Sequence, residues 1–158
     1  MKILKSALAL SLIVLTALAA VSCKSFTDKG IKPVAEAVFA ALGEEYDNAD
    51  SPVDLNDTVA CTYASFSRES ADQVPDRVAI YRTDTVEDAE RTETECKKYL
   101  SGLQDPDNVK FVGSYDLVSA EKLKSAKVVR YENYVIVCVT DAKTIDAVKS
   151  AAESVLYE

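Results

Sequence analysis

Histidine and tryptophan are missing from this chain of 158 residues, and only four glycines are present. Without histidine the chain lacks the commonest general base, which excludes Ser-His and Cys-His nucleophile pairs and histidine metal sites. Four glycines leave too little material for a Gly-rich loop that cradles phosphate groups. Basic residues are also scarce: 18 Lys plus Arg stand against 26 Asp plus Glu, a formal charge of −8. Because nucleic-acid binding needs basic side chains to neutralise phosphates, the composition predicts no nucleic-acid partner, and it offers no cofactor motif.

The first 22 residues have the layout of an export signal. Lys2 and Lys5 give a positive start, and residues 6–22 form an uncharged run rich in Leu and Ala. That run is just short of the roughly 20 residues that span a bilayer comfortably. Residues 1–22 contain two lysines and no acidic residue, so their removal leaves 16 basic against 26 acidic residues, a formal charge of −10.

The end of this segment, Ala20-Val21-Ser22-Cys23, resembles a bacterial lipobox, in which the cysteine is acylated and becomes the first residue. The resemblance implies lipidation at Cys23, and each buried CH₂ of an acyl chain such as palmitate contributes about 0.8 kcal/mol to membrane binding. Ordinary cleavage after Ala19 or Ser22 and an uncleaved anchor are the alternatives. The lipoprotein interpretation divides the chain into a signal peptide (1–22), a tether (23–32) and a single domain (33–158). It places that domain on the extracytoplasmic face of the cell membrane.

The region after the tether alternates helical and strand patterns, judged from apolar periodicity and from β-branched and aromatic content. The predicted elements are a helix at 33–42, strands at 58–66 and 77–83, a helix from 84 or 85 to about 102, a short helix at 117–124, strands at 127–131 and 134–140, and a helix after Asp141. A turn at Glu132-Asn133 joins the last two strands, and Asn133 is expected to take its left-handed conformation. The sequence therefore predicts an α+β fold with the order α-β-β-α-(α)-β-β-α. It has an antiparallel sheet of about four strands and helices packed on one face, in two layers.

Two stretches resemble a family of short Gram-positive lipoproteins that carry a domain of unknown function. They read DRVAIYRTDTVEDAERTETECKKYLSGL and AKVVRYENYVIVCVTDAKTIDAVKSAAESVL, and the match is most specific at residues 78–81 and 133–141. At the level of pattern the resemblance covers about residues 34–158, with Glu132 in place of the usual turn glycine. It implies a surface lipoprotein and supplies no activity and no catalytic residue.

Three cysteines remain after Cys23, namely Cys61, Cys96 and Cys138. Their spacings of 35 and 42 residues match no zinc motif. The favoured interpretation is that they are buried free thiols that pack as small hydrophobic groups. A Cys61–Cys138 disulfide is the alternative, and a reactive thiol would lack a histidine to lower its pKa.

Other patterns give weaker indications of chemistry. Ser119-Ala120-Glu121-Lys122 fits S-x-x-K, but the S-D-N and K-T-G partners of penicillin-binding enzymes are missing, so a solvated helix turn explains it. The acidic loop at 44–57 lacks the regular alternation and the glycine of an ordered Ca²⁺ site. Four tyrosines lie on or near predicted strands: Tyr63, Tyr81, Tyr131 and Tyr134. Because tyrosine is favoured in binding patches, they could form a contact surface. The alternative is that their rings cover sheet edges and the rims of the core.

These observations predict a lipid-anchored binding or interaction module without catalysis. Its expected partner is a protein or another cell-envelope component, met through a helix-free sheet face or through the acidic loop. The alternative is a small cell-envelope hydrolase that uses carboxylates, although nothing singles out one pair among the acidic residues. The sequence assigns no catalytic, cofactor-binding or metal-binding residue.

Overall fold

The computed structural model of the protein describes residues 24–55, 59–70, 74–105 and 117–157. The predicted signal peptide and Cys23 lie outside these residues. The elements in chain order are α1 (Ile31–Leu42), β1 (Asp47–Asn48), β2 (Cys61–Arg68), β3 (Asp76–Thr83), α2 (Val86–Gln104), α3 (Leu117–Ser125), β4 (Lys127–Tyr131), β5 (Tyr134–Val139) and α4 (Ala142–Leu156).

The strands form one sheet in the order β1-β2-β3-β5-β4, and every neighbouring pair is antiparallel. The predicted α+β class, the antiparallel sheet and the pairing of β4 with β5 across the Glu132-Asn133 turn are confirmed. The sheet has five strands because β1 pairs with the end of β2 at Asp47↔Ser67 and Asn48↔Phe66. A two-residue strand in an acidic loop has no periodicity, so the sequence analysis missed it.

The helices cover both faces of the sheet, which corrects the expectation that they pack on one face. All six residues of β5 are buried. On one face of the sheet, α1 and α4 pack against the strands in an apolar cluster. Its buried members include Val34, Val38, Val78, Ile80, Tyr134, Ile136, Cys138, Ile145 and Val148. A second cluster joins α2 and α3 to the other face and contains Ala79, Tyr81, Ala89, Cys96, Leu100, Leu123, Val135, Val137 and Val139. A strand that is apolar at every position is buried on both sides, so the central strands leave no helix-free face for a partner.

The starts of two helices and the position of the last hairpin agree with the predictions. The Thr85 hydroxyl accepts a hydrogen bond from the Asp88 amide at 3.1 Å, and Asp141 accepts one from the Thr144 amide at 3.0 Å, so both residues cap the helices that were predicted to begin there. The β4–β5 hairpin turns at Glu132-Asn133, but Glu132 takes the positive φ of 48°. Asn133 instead donates through its side-chain amide to the Thr83 carbonyl at 2.9 Å, which fixes its orientation.

The segment expected to be a tether (23–32) contacts the folded domain. Phe26 forms an isolated bridge with Tyr157 at the end of α4, and its ring packs edge-on against that of Tyr157 at 5.8 Å. The Thr27 amide donates to the Leu156 carbonyl at 2.8 Å. Helix α1 then starts at Ile31, two residues before the predicted position. We call residues 26–28 the N-terminal latch.

Asp28 is the centre of this latch. Its carboxylate accepts hydrogen bonds from Arg82 Nε at 2.9 Å, from the Tyr134 hydroxyl at 2.6 Å and from Asn133 Nδ2 at 2.9 Å. The Gly30 amide supplies a further donor at 3.0 Å. Chiefly because the Arg82 guanidinium stabilises the charged form, the pKa of Asp28 lies well below its usual value of 3.8. The latch therefore holds the start of the chain to β3 and to the β4–β5 hairpin.

Candidate functional site

A concave site of about 600 Å³ lies beside β2 on the sheet face that α2 and α3 share. Residues 50–55, which follow β1, form one wall, and the start of β2 together with Tyr81 of β3 forms the other. We call this site the edge groove. It forms because β1 is short: the chain leaves the sheet after Ala49, whose amide donates to the Ser65 carbonyl at 2.9 Å, and crosses over the sheet face.

Tyr81 holds residues 50–55, one wall of the edge groove, to the sheet. Its ring is fully buried, and its hydroxyl lies 2.7 Å from Ser51 Oγ. Ser51 Oγ in turn donates to the Val53 carbonyl at 2.8 Å, so its single proton is used and the Tyr81 hydroxyl is the donor of the shared bond. Burial raises the pKa of Tyr81, which keeps the phenol protonated. Tyr81 is thus a rigid structural donor that fixes the wall to the sheet.

The mouth of the groove combines an exposed aromatic ring with two carboxylates. Tyr63 is 49% exposed, and its ring centroid lies 6.3 Å from that of Tyr81. Asp50 and Asp54 line the same groove and are exposed. No Lys or Arg is among its described lining residues. This combination suits a cation, because carboxylates attract positive charge and a tyrosine face adds a cation–π contact.

A smaller hollow of about 250 Å³ lies on the opposite face of β2. Ala64 and Phe66 form its floor and Phe39 of α1 forms its wall, with the Phe39 and Phe66 ring centroids 5.1 Å apart. Phe39 is 38% exposed. We call this the rear hollow. It is more apolar than the edge groove, and Lys32 and Glu36 at its margin form an ion pair of 3.8 Å with each other.

The three cysteines Cys61, Cys96 and Cys138 differ in burial. Cys61 lines the edge groove and is half-buried, and desolvation raises its thiol pKa. Cys96 and Cys138 are buried, and burial raises each pKa to about 12. All three are free, as the favoured interpretation held. The alternative Cys61–Cys138 disulfide is wrong, because Cys61 packs in the cluster under α2 and Cys138 in the cluster on the opposite sheet face. Raised pKa values keep the thiols neutral and poorly nucleophilic.

The lysine of the S-x-x-K pattern has a structural role. Lys122 and Asp76 are the two charged side chains that are buried in the described part of the chain, and Lys122 Nζ lies 2.7 Å from Asp76 Oδ1. Lys122 also donates to the Val74 carbonyl at 2.8 Å. Arg68 pairs with the other oxygen of Asp76, through Nε at 3.1 Å, and its guanidinium lies over the Tyr46 ring. Because both carboxylate oxygens face cations, this network fastens α3 to the ends of β2 and β3. The side chain of Ser119 lies outside the described residues.

The acidic loop does not act as a unit. Glu45 pairs with Arg68 at 2.7 Å and Asp47 belongs to β1, whereas Asp50 and Asp54 line the edge groove. Asp57 lies outside the described residues. On the described part of the chain, no group of three or more Cys, Asp or Glu side chains is placed to hold a metal ion.

The four tyrosines on or near strands also differ in burial. Tyr131 and Tyr134 are buried in the core cluster beside the N-terminal latch, and Tyr81 is buried under the groove. Only Tyr63 of these four presents its ring to solvent. Of the two readings of these tyrosines, a contact surface therefore remains open for Tyr63 alone among the four. Sequence reasoning missed Ser51, Asp50 and Asp54 as its neighbours, since their approach to Tyr63 depends on how the loop crosses the sheet.

Comparisons with protein-family models, with curated proteins and with solved structures find no match to this chain. The resemblance to lipoproteins with a domain of unknown function therefore stays a prediction. Within the residues the structure covers, no helix is both long enough and apolar enough to cross a membrane.

Proposed function

We propose that the protein is a membrane-anchored extracytoplasmic lipoprotein domain that acts by binding a partner, without catalysis. The observation that carries the binding role is the edge groove, which the exposed Tyr63 ring lines together with Asp50 and Asp54 and in which Tyr81 is hydrogen-bonded to Ser51. Exposed aromatic side chains on a rigid surface are typical of protein-binding sites. The proposed partner is a protein or another component of the cell envelope.

The anchoring role rests on Cys23 and its lipobox-like context. Lipid at Cys23 would leave only Lys24 and Ser25 before the N-terminal latch. Three extended residues reach about 10 Å. A lipidated Cys23 would thus keep the domain close to the bilayer, with the end of α4 and Tyr157 on the membrane side. The partner would then be met at the membrane surface.

Site-specific photocross-linking in intact cells tests this binding role. Replacement of Tyr63 by p-benzoylphenylalanine places the reactive group at the mouth of the groove. Val86 is the matched control position, because it is a large apolar side chain of similar exposure (38%) at the start of α2. We expect a discrete cross-linked species from position 63 that is missing from position 86. No species from position 63, or the same species from both positions, would contradict the proposal.

A second candidate function, a carboxylate hydrolase, is favoured by one observation: Asp50 and Asp54 line the same groove. Paired carboxylates act as acid and base or nucleophile in glycoside cleavage. Incubation of the purified full chain with cell-wall polymer and mass spectrometry of released fragments decides between the two functions. Fragments that disappear in the Asp50→Asn/Asp54→Asn double variant would establish the hydrolase and overturn the binding proposal.

A further inference from the structure

Among the residues that the structure describes, no strand pairs with the outer edge of β2 over its first half. β1 covers only Phe66 and Ser67, and the Ala49–Ser65 hydrogen bond is the last of the described backbone bonds on that side. In an antiparallel ladder the backbone groups of alternate residues point to the same edge. Because the Ser65 carbonyl points outward to Ala49, the amides and carbonyls of Tyr63 and Cys61 also point outward, and no strand among the described residues pairs with them.

Over residues 61–64 this edge has no charged side chain and no proline to protect it against strand addition. Natural edge strands are blunted by charged side chains, by proline or by a covering element. The other outer strand, β4, follows that rule with Lys127 and Arg130, and Arg130 is ion-paired to Glu93 of α2 at 3.0 Å. Residues 61–64 of β2 read Cys-Thr-Tyr-Ala, with neither a charge nor a proline.

Both cavities flank this same stretch, one on each face of the sheet. Tyr63 points into the edge groove, whereas Ala64 and Phe66 form the floor of the rear hollow. Successive side chains of an extended strand point to opposite faces. A strand added to the edge would thus direct alternate side chains to the edge groove and to the rear hollow.

We propose that the edge of β2 binds an extended polypeptide segment by antiparallel strand addition, with basic side chains in the edge groove and apolar side chains in the rear hollow. This inference rests on the proposed binding function and names its partner class. Charge complementarity selects the occupant: the exposed Asp50 lines the groove, and the chain as a whole carries a formal charge of −8. A second copy of this chain is disfavoured, because each copy carries a formal charge of −8 and edge-to-edge pairing would bring two acidic chains together.

The probe is a fluorescein-labelled six-residue peptide of alternating lysine and valine, and binding to the full chain in detergent is followed by fluorescence anisotropy. A glutamate–valine peptide is the charge control. Two N-methylated lysine–valine peptides test the backbone. Methyl groups on the lysine amides block the donors that face Tyr63, whereas methyl groups on the valine amides block donors that face away. Both peptides carry the same charge, so non-specific attraction affects them equally.

We expect methylation at lysine to weaken binding at least about fivefold relative to methylation at valine, the loss that a net hydrogen bond of about 1 kcal/mol implies. The glutamate–valine peptide should not bind. Tyr63→Pro removes an outward N–H that the β2–β3 ladder does not use, so it should weaken binding more than Tyr63→Ala does. If Tyr63→Pro does not fold, the two methylated peptides decide the question on the unaltered chain.

Equal binding of the two methylated peptides would overturn strand addition, and so would binding of the glutamate peptide. Concentration-dependent dimers that the lysine peptide disperses would assign the edge to a second copy instead. The underlying binding function can survive such a failure: a specific photocross-link at position 63 together with equal binding of both methylated peptides would mean that the groove binds a partner in another way.

Discussion

Replacement of Asp28 by Asn should destabilise the domain far more than its position ahead of the first described helix suggests. The Asp28 side chain is 29% exposed and that of Arg82 is 26% exposed. Arg82 binds both carboxylate oxygens, through Nε at 2.9 Å and Nη2 at 2.7 Å, and Tyr134 donates at 2.6 Å. The amide of Asn has one oxygen and no charge, so it cannot replace these bonds.

The expected loss follows from this partial burial. Exposed ion pairs contribute up to about 1 kcal/mol, and breaking a fully buried pair costs about 3–5 kcal/mol. We therefore expect Asp28→Asn to lower the free energy of unfolding by about 2 kcal/mol, measured by urea denaturation followed by circular dichroism. Amide hydrogen exchange should show faster exchange at Thr27, whose N–H bonds to the Leu156 carbonyl at 2.8 Å.

Asp84→Asn is the matched control. Asp84 pairs with the same guanidinium, at 3.5 Å from Arg82 Nη1, but its side chain is 83% exposed. This variant should change stability by less than about 0.5 kcal/mol. Equal losses in the two variants, or an unchanged Thr27 exchange rate in Asp28→Asn, would refute the latch.

Lys122, the cysteines and Asp28 give three further predictions. Lys122→Met removes a cation from a buried carboxylate and should cost about 3 kcal/mol in urea denaturation; the exposed Lys124→Met should cost little, and equal losses would contradict the network. Because Cys61 and Cys138 lie on opposite sheet faces, peptide mapping under oxidising conditions should find no disulfide between them, and such a linked peptide would disprove the assigned registers. Because the pKa of Asp28 is lower in the folded chain than in the unfolded chain, its carboxylate contributes stability that is fully present above about pH 4 and is lost as the pH falls below that value. The urea midpoint should therefore fall less steeply between pH 5 and pH 3 in Asp28→Asn than in the unaltered chain. Parallel pH profiles of the two proteins would contradict this.

Local features of the fold could be predicted from the sequence because each depends on nearby residues. The cap at Asp141 requires only a side chain three residues from the amide it binds. The β4–β5 hairpin depends on two short β-branched runs around one turn. The burial of β5 on both faces was not predicted, although all six of its residues are apolar, because an antiparallel arrangement favoured the expectation of a single covered face.

The edge groove and the N-terminal latch could not be predicted because their contacts join residues far apart in sequence. Ser51 and Tyr81 are 30 positions apart, and Asp28 and Tyr134 are 106 positions apart. Nothing in the local pattern of Asp50 or Asp54 distinguishes them from the other acidic residues. Their place beside Tyr63 follows from the shortness of β1, which no sequence period records.

Mass spectrometry of the N-terminal peptide, from protein extracted from membranes, shows whether Cys23 anchors the chain. We expect a mature chain that begins at Cys23 and carries acyl chains on that cysteine, and a Cys23→Ala variant that is no longer held at the membrane by lipid. A chain that begins at an unmodified Ala20 or Cys23, or one that retains residues 1–22, would contradict it.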